Sequence, residues 1–102
     1  MKVAVSSESM EEDSRVSDVS GRAPYYLIFD KSKLVKVLKN PFRIGGGGAG
    51  FGVAEMLSEE GVDAVISGKI GQNMKSALDE RGIKYFEMSG ITISDALKEV
   101  EK

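Results

Sequence analysis

The chain has 102 residues, 41% of them hydrophobic and 29% charged, with a formal net charge of −2, which is ordinary composition for one globular domain and leaves no room for a second core. That charge balance offers no general attraction to nucleic acid, and no apolar run approaches the roughly 20 residues that span a bilayer. With no Cys and no His, disulfides, thiolate or imidazole metal sites, Ser-His-Asp triads and Cys nucleophiles are all excluded.

The opening Met1-Lys2-Val3-Ala4-Val5 turns polar at Ser6-Ser7, too soon for a secretion signal, so a cytoplasmic protein is expected. Val3-Ala4-Val5 reads as a short buried central strand. Residues 8–19 are polar, acidic and aperiodic, and are expected to form a long mobile loop. Tyr25-Tyr26-Leu27-Ile28-Phe29 is apolar without interruption, as in a strand covered on both faces. Asp30-Lys31-Ser32 supplies a turn, and the returning arm, residues 34–39, carries two lysines along an apolar strand, as an edge strand does.

After Asn40-Pro41 comes Gly45-Gly46-Gly47-Gly48-Ala49-Gly50, followed by Val53, Met56 and Leu57 at helical spacing. A first helix is expected from near Ala49 to Gly61. Asp63-Ala64-Val65-Ile66 makes the fourth strand, and Met74, Ala77, Leu78 and Arg81 form a second helical stripe that Gly82 ends. Residues 83–87 make the fifth strand. Thr92 with Asp95 three residues on has the form of a capping box, and Ile93, Ala96, Leu97 and Val100 line the closing helix.

The resulting order is β, β, β, α, β, α, β, α in a single domain over residues 1–102, with an antiparallel start and strand-helix-strand crossovers giving a mixed sheet. With strand one central and strand two antiparallel to it, the loop of residues 6–24, the glycine run and the loop of residues 67–73 meet at the carboxyl end of strand one. In open α/β sheets ligands bind at that end.

Three segments there could carry chemistry. The glycine run lets a backbone approach a ligand closely, and the helix start behind it offers unpaired N–H groups and partial positive charge to an anion; the alternative is a flexible tether. It fits the dinucleotide pattern through Gly45, Gly47 and Gly50 only formally, because it follows an edge strand. As a phosphate loop it has Phe51-Gly52 where Lys and Ser or Thr should stand. Ser67-Gly68-Lys69-Ile70-Gly71-Gln72-Asn73 leaves a buried strand and opens a helix with donors and a cation, though turn chemistry also explains its glycines. Arg22 precedes strand two at the same end, and its guanidinium suits oxyanions or a nearby carboxylate equally. Glu8, Glu11, Glu12 and Asp13 lack the calcium-loop spacing.

MKVAVSS, RVSDVSGRAPYYLIFD, GGGGAG and GVDAVISGKIGQNMKSALDERGIKYF, in that order, resemble the dinitrogenase iron-molybdenum cofactor biosynthesis family, from about Lys2 into the last helix. The resemblance implies a ribonuclease-H-like three-layer α/β domain, with a five-stranded mixed sheet in the order 3-2-1-4-5 and three helices. It implies a nitrogenase accessory role, as a binding or carrier protein for an iron-molybdenum or iron-sulfur cofactor or its precursor, and no enzymatic activity. Carriers in the family are expected to touch their cluster through His or Cys, and this chain has neither. Its contacts would therefore be outer-sphere, from Arg22, Gly47, Gly48, Ala49, Gly50, Lys69 and Asn73, with another cofactor-assembly protein as partner. Ser20 stands where relatives often have Phe before Gly-Arg. The alternative from another class is an interaction or regulatory domain that keeps the fold without a cofactor. Nuclease activity is not expected, because strand one presents no metal-binding carboxylate.

Overall fold

The computed structural model describes residues 1–20, 22–42 and 49–101. Its elements are β1 (Lys2–Ser7), β2 (Tyr25–Asp30), β3 (Lys33–Lys39), α1 (Ala49–Glu59), β4 (Ala64–Ser67), α2 (Gln72–Glu80), β5 (Lys84–Glu87) and α3 (Ile93–Val100). They match the expected series element for element.

The strands form one sheet in the order β3-β2-β1-β4-β5, as expected. β1 runs antiparallel to β2, from Lys2 opposite Asp30 to Ser7 opposite Tyr25, and parallel to β4, with Val3 opposite Ala64. β4 and β5 are parallel, and β2 and β3 are antiparallel. The β2–β3 hairpin turns through Lys31 and Ser32, both at positive φ (52° and 66°), which matches the mirror-image turns that follow the right-handed twist of paired strands.

Side chains alternate across the sheet, and both faces are covered. Ala4, Tyr26, Ile28 and Val65 pack against Val53 and Leu57 of α1 and Met74 and Leu78 of α2. Val3, Val5, Leu27, Phe29 and Ile66 pack against Ile93, Ala96 and Leu97 of α3. This three-layer arrangement explains why β1, β2 and β4 read as continuous apolar runs rather than alternating ones. β3 lies at the edge, where Lys36 forms an ion pair with Glu60 at 2.9 Å.

The segment of residues 8–19 differs from expectation. It contains no helix or strand, yet its second half is tied to the rest of the fold by backbone hydrogen bonds. Val16 is buried in the α3-side core, and the backbone around it bonds to three elements. Ser17 N donates to Ser6 O (2.8 Å), Ile93 N to Ser14 O (3.0 Å), Gly68 N to Ser17 O (2.8 Å) and Lys69 N to Asp18 O (2.6 Å). One buried apolar side chain among the three in this polar stretch, with Met10 and Val19 exposed, is a weak signal. Backbone pairing, invisible in side-chain periodicity, supplies most of the attachment.

Candidate functional site

β1 and β4 run parallel and end together, so the β1–β2 connection and the β4–α2 loop emerge side by side. Residues 17–20 lie along residues 68–69 as a strap. Ser20 N returns a bond to Lys69 O at 3.0 Å, and Val19 bridges Lys69 in parallel. A Cβ on Gly68 would stand 2.2 Å from Asp18 O, so the close approach of the strap requires glycine there.

Beneath the strap the polar groups are satisfied from within. Ser6 Oγ donates to Ser67 Oγ at 2.7 Å, and both residues are buried. Tyr26 OH donates to Ser20 O at 2.8 Å, and Ser20 Oγ lies 2.5 Å from Tyr26 OH and 3.1 Å from Met74 Sδ. Burial pushes the Tyr26 phenol well above its ordinary value of 10, so it stays neutral and is no base at physiological pH. On the far side, Asn40 Nδ2 donates to Ala23 O (2.8 Å) while its Oδ1 accepts from Phe42 N (2.9 Å). Among the described residues, no buried side-chain nitrogen or oxygen lacks a partner.

Over this floor opens a cavity of about 380 Å³, lined by Val19, Arg22, Gly50, Lys69, Gly71, Gln72, Asn73 and Met74. Four predicted residues, Arg22, Gly50, Lys69 and Asn73, thus come together. Gly47 and Gly48 lie outside the described residues, and Ala49 is the first residue of α1. Arg22, Lys69, Gln72 and Asn73 are exposed, whereas Met74 is buried as the floor. A Cβ on Gly50 would stand 3.0 Å from Met74 Cβ, so the two helices nearly touch at the cavity wall.

The start of α2 faces this space. Its N-cap, Gly71, has extended backbone (φ −68°, ψ 159°) and makes no side-chain cap bond, and the first turn carries no acidic residue. A helix start of this kind leaves N–H donors and partial positive charge for something else to satisfy. Glu87, at the end of β5, accepts from Ile70 N at 2.8 Å and lies 3.6 Å from Lys75 Nζ. The Ile70 N–H, with further help from Lys75 and Lys69, holds the Glu87 carboxyl below its ordinary range.

Sequence reasoning missed Val19, Met74 and Glu87. Val19 and Met74 reach the cavity through the strap and the helix packing, which have no motif; Glu87 reads as an ordinary strand-end charge. Among the described residues, no group of three or more His, Cys, Asp or Glu side chains could hold a metal ion, which includes the acidic stretch near Glu8.

The fold and this cavity define a small α/β domain with an open, cation-bearing hollow at the carboxyl end of its parallel strands. The chain belongs to the dinitrogenase iron-molybdenum cofactor family, whose model matches residues 1–102. The apo form of the orange protein from Desulfovibrio gigas superposes with a TM-score of 0.91 at 25% identity, over 98% of this chain and 86% of that one. A Thermotoga protein provisionally described as NifB, of the DUF35 family, superposes with a TM-score of 0.82 at 31% identity over the same shares. A protein from Methanocaldococcus jannaschii, provisionally described as a dinitrogenase, shares the fold (TM-score 0.65, 20% identity, 98% and 86% covered). No curated protein matches the sequence. No helix among the described residues is long and apolar enough to cross a membrane.

Proposed function

We propose that the protein is a small binding or carrier module for an anionic iron-molybdenum or iron-sulfur cofactor or its precursor, held in the cavity by outer-sphere contacts. One observation carries the reading. Arg22 and Lys69, from two separate loops, and the uncapped start of α2 all line a single hollow. The family and the carboxyl-end location support it.

The donor set decides the mode of contact. Soft metal-sulfur centres take thiolate or imidazole ligands, and the chain has neither. Charge and hydrogen bonding then remain. A hydrogen bond to a charged group contributes about 1.5–3 kcal/mol, against about 0.3–1 kcal/mol for a helix dipole at an exposed site. Arg22 and Lys69 therefore dominate, and the α2 start with Asn73 orients the cargo. The mainly backbone and apolar remainder of the wall, Val19, Gly50 and Met74, suits a bulky anion of diffuse charge.

This reading makes the protein cytoplasmic, a partner of another cofactor-assembly protein, and not a catalyst. The sheet order and antiparallel start support a ribonuclease-H-like fold, and β1, which carries no carboxylate from Lys2 to Ser7, supports the absence of metal-dependent cleavage. The missing His and Cys favour a second reading, an interaction or regulatory domain without cofactor. Anaerobic incubation with the cofactor precursor, followed by gel filtration and metal analysis, separates the two. Co-elution of molybdenum or iron with the protein is expected. Metal-free protein at saturating precursor contradicts the carrier reading.

A further inference from the structure

The Lys69 loop is held from outside the cavity. Ser67 pairs with Glu87 across β4 and β5, and Met88 N donates to Ser67 O at 2.7 Å. From that anchored position the Glu87 carboxylate accepts the N–H of Ile70 at 2.8 Å. Ile70 is itself in the core, 3% exposed, and stands between Lys69 and Gly71, which both line the cavity. Fixing one amide therefore fixes the residues on either side of it.

The same carboxylate carries charge. Lys75 from α2 lies 3.6 Å away, and Lys69 from the loop also stabilises the ionised form. The next carboxylate along α2, Asp79, is engaged by Tyr85 OH at 3.4 Å. Glu87 thus sets a negative charge beside a cation of the proposed anion site, where it opposes an incoming anion.

We infer that Glu87 is a positioning residue of the cavity, which fixes the loop of residues 69–71 through the Ile70 amide and at the same time restrains the cavity's affinity for anions, so that cargo is held reversibly. This rests on the carrier reading. The two effects are separable, because glutamine keeps an acceptor for Ile70 N–H and removes the charge, whereas alanine removes both.

The test uses the whole chain, with the tetrathiomolybdate dianion as probe, in equilibrium titration and amide hydrogen exchange. Glu87→Gln should bind the dianion about threefold to tenfold more tightly at low salt, with the gain shrinking as salt rises, and should leave exchange at Ile70 unchanged. Glu87→Ala should speed exchange at Ile70 and at residues 69–73 while leaving the β1 amides protected. Parent-level affinity in Glu87→Gln, in a parent that does bind, overturns this inference alone. Unchanged exchange at Ile70 in Glu87→Ala overturns the positioning role. A parent that binds no dianion overturns the carrier reading, and the restraint on affinity with it.

Discussion

Thr92 opens α3 with its own hydroxyl, which accepts from Asp95 N at 3.2 Å, and Ser14 O takes the Ile93 N–H at 3.0 Å. Gly71 opens α2 with no side chain at all. The two helices lie on opposite faces of one sheet, and their first turns are built in opposite ways. α3 carries Asp95 in its first turn and Lys98 in its last, which complements the helix dipole from within. α2 has no acid in its first turn; the cations Arg22 and Lys69 line the same hollow, and the nearby Glu87 carboxylate is engaged by the Ile70 N–H. The closed start serves the fold. The open one has no side-chain cap, at the point where the strap and the β4–α2 loop converge.

This contrast can be broken most forcefully at Gly68. In Gly68→Ala the new Cβ meets the Asp18 carbonyl oxygen at 2.2 Å, a backbone atom with no rotamer to escape by, and overpacking of this kind costs about 1–3 kcal/mol. Denaturant unfolding should show that loss, together with faster amide exchange at Ser20 and Lys69 as the strap lifts. Parent stability in this variant would mean that the strap is not fixed as described.

Two further substitutions sharpen the comparison between the helix starts. Thr92→Ala should cost about 1 kcal/mol in thermal unfolding, the usual effect of losing a cap, with no effect on cofactor-precursor binding. Gly71→Asp should act the other way. The backbone at Gly71 is extended, and a Cβ there meets nothing within 4 Å, so aspartate can cap α2 without strain. Stability should rise by roughly a few tenths of a kcal/mol, while binding weakens because the new carboxylate occupies the N–H groups and repels an anion. If Gly71→Asp binds as the parent does, the α2 start plays no part in the site.

The smallest expected effect is in acid. The folded-state pKa of Glu87 lies below its ordinary 4.5, so its ionised form contributes stability above that value and loses the contribution as pH falls through the lowered one. A Glu87→Gln variant should therefore show a flatter decline on the acid side of a stability profile. A decline as steep as the parent's would show that ionisation of Glu87 contributes nothing to it.

Most of the fold is legible in the sequence because apolar runs and 3.6-residue stripes report burial directly, and Val53, Leu57, Met74, Leu78 and Leu97 are all buried as their spacing implies. An antiparallel hairpin and strand-helix-strand crossovers imply a mixed sheet with β3 at its edge, whereas the full order β3-β2-β1-β4-β5 is what the family resemblance implies. The site is legible only in part. Arg22 and Lys69 stand out as cations at the right end of the sheet, but their convergence depends on a strap formed by backbone pairing between residues 17–20 and 68–69, and main-chain bonds leave no side-chain pattern. The absent cap at Gly71 is readable, although its meaning depends on what faces it. Glu87 could have been found only from the register that sets it opposite Ser67.

The central claim is that Arg22 and Lys69 hold an anionic cofactor while contributing little to folding. Its most direct test is an anaerobic titration of the cofactor precursor against the parent and the Arg22→Ala/Lys69→Ala double variant, with melting temperatures measured on the same samples. Exposed cations contribute only about 0–1 kcal/mol each to stability, so the double variant should melt close to the parent, bind about tenfold or more weakly, and lose most of the salt dependence. A double variant that melts like the parent and binds the precursor as tightly would contradict the claim and remove the cavity as the binding site.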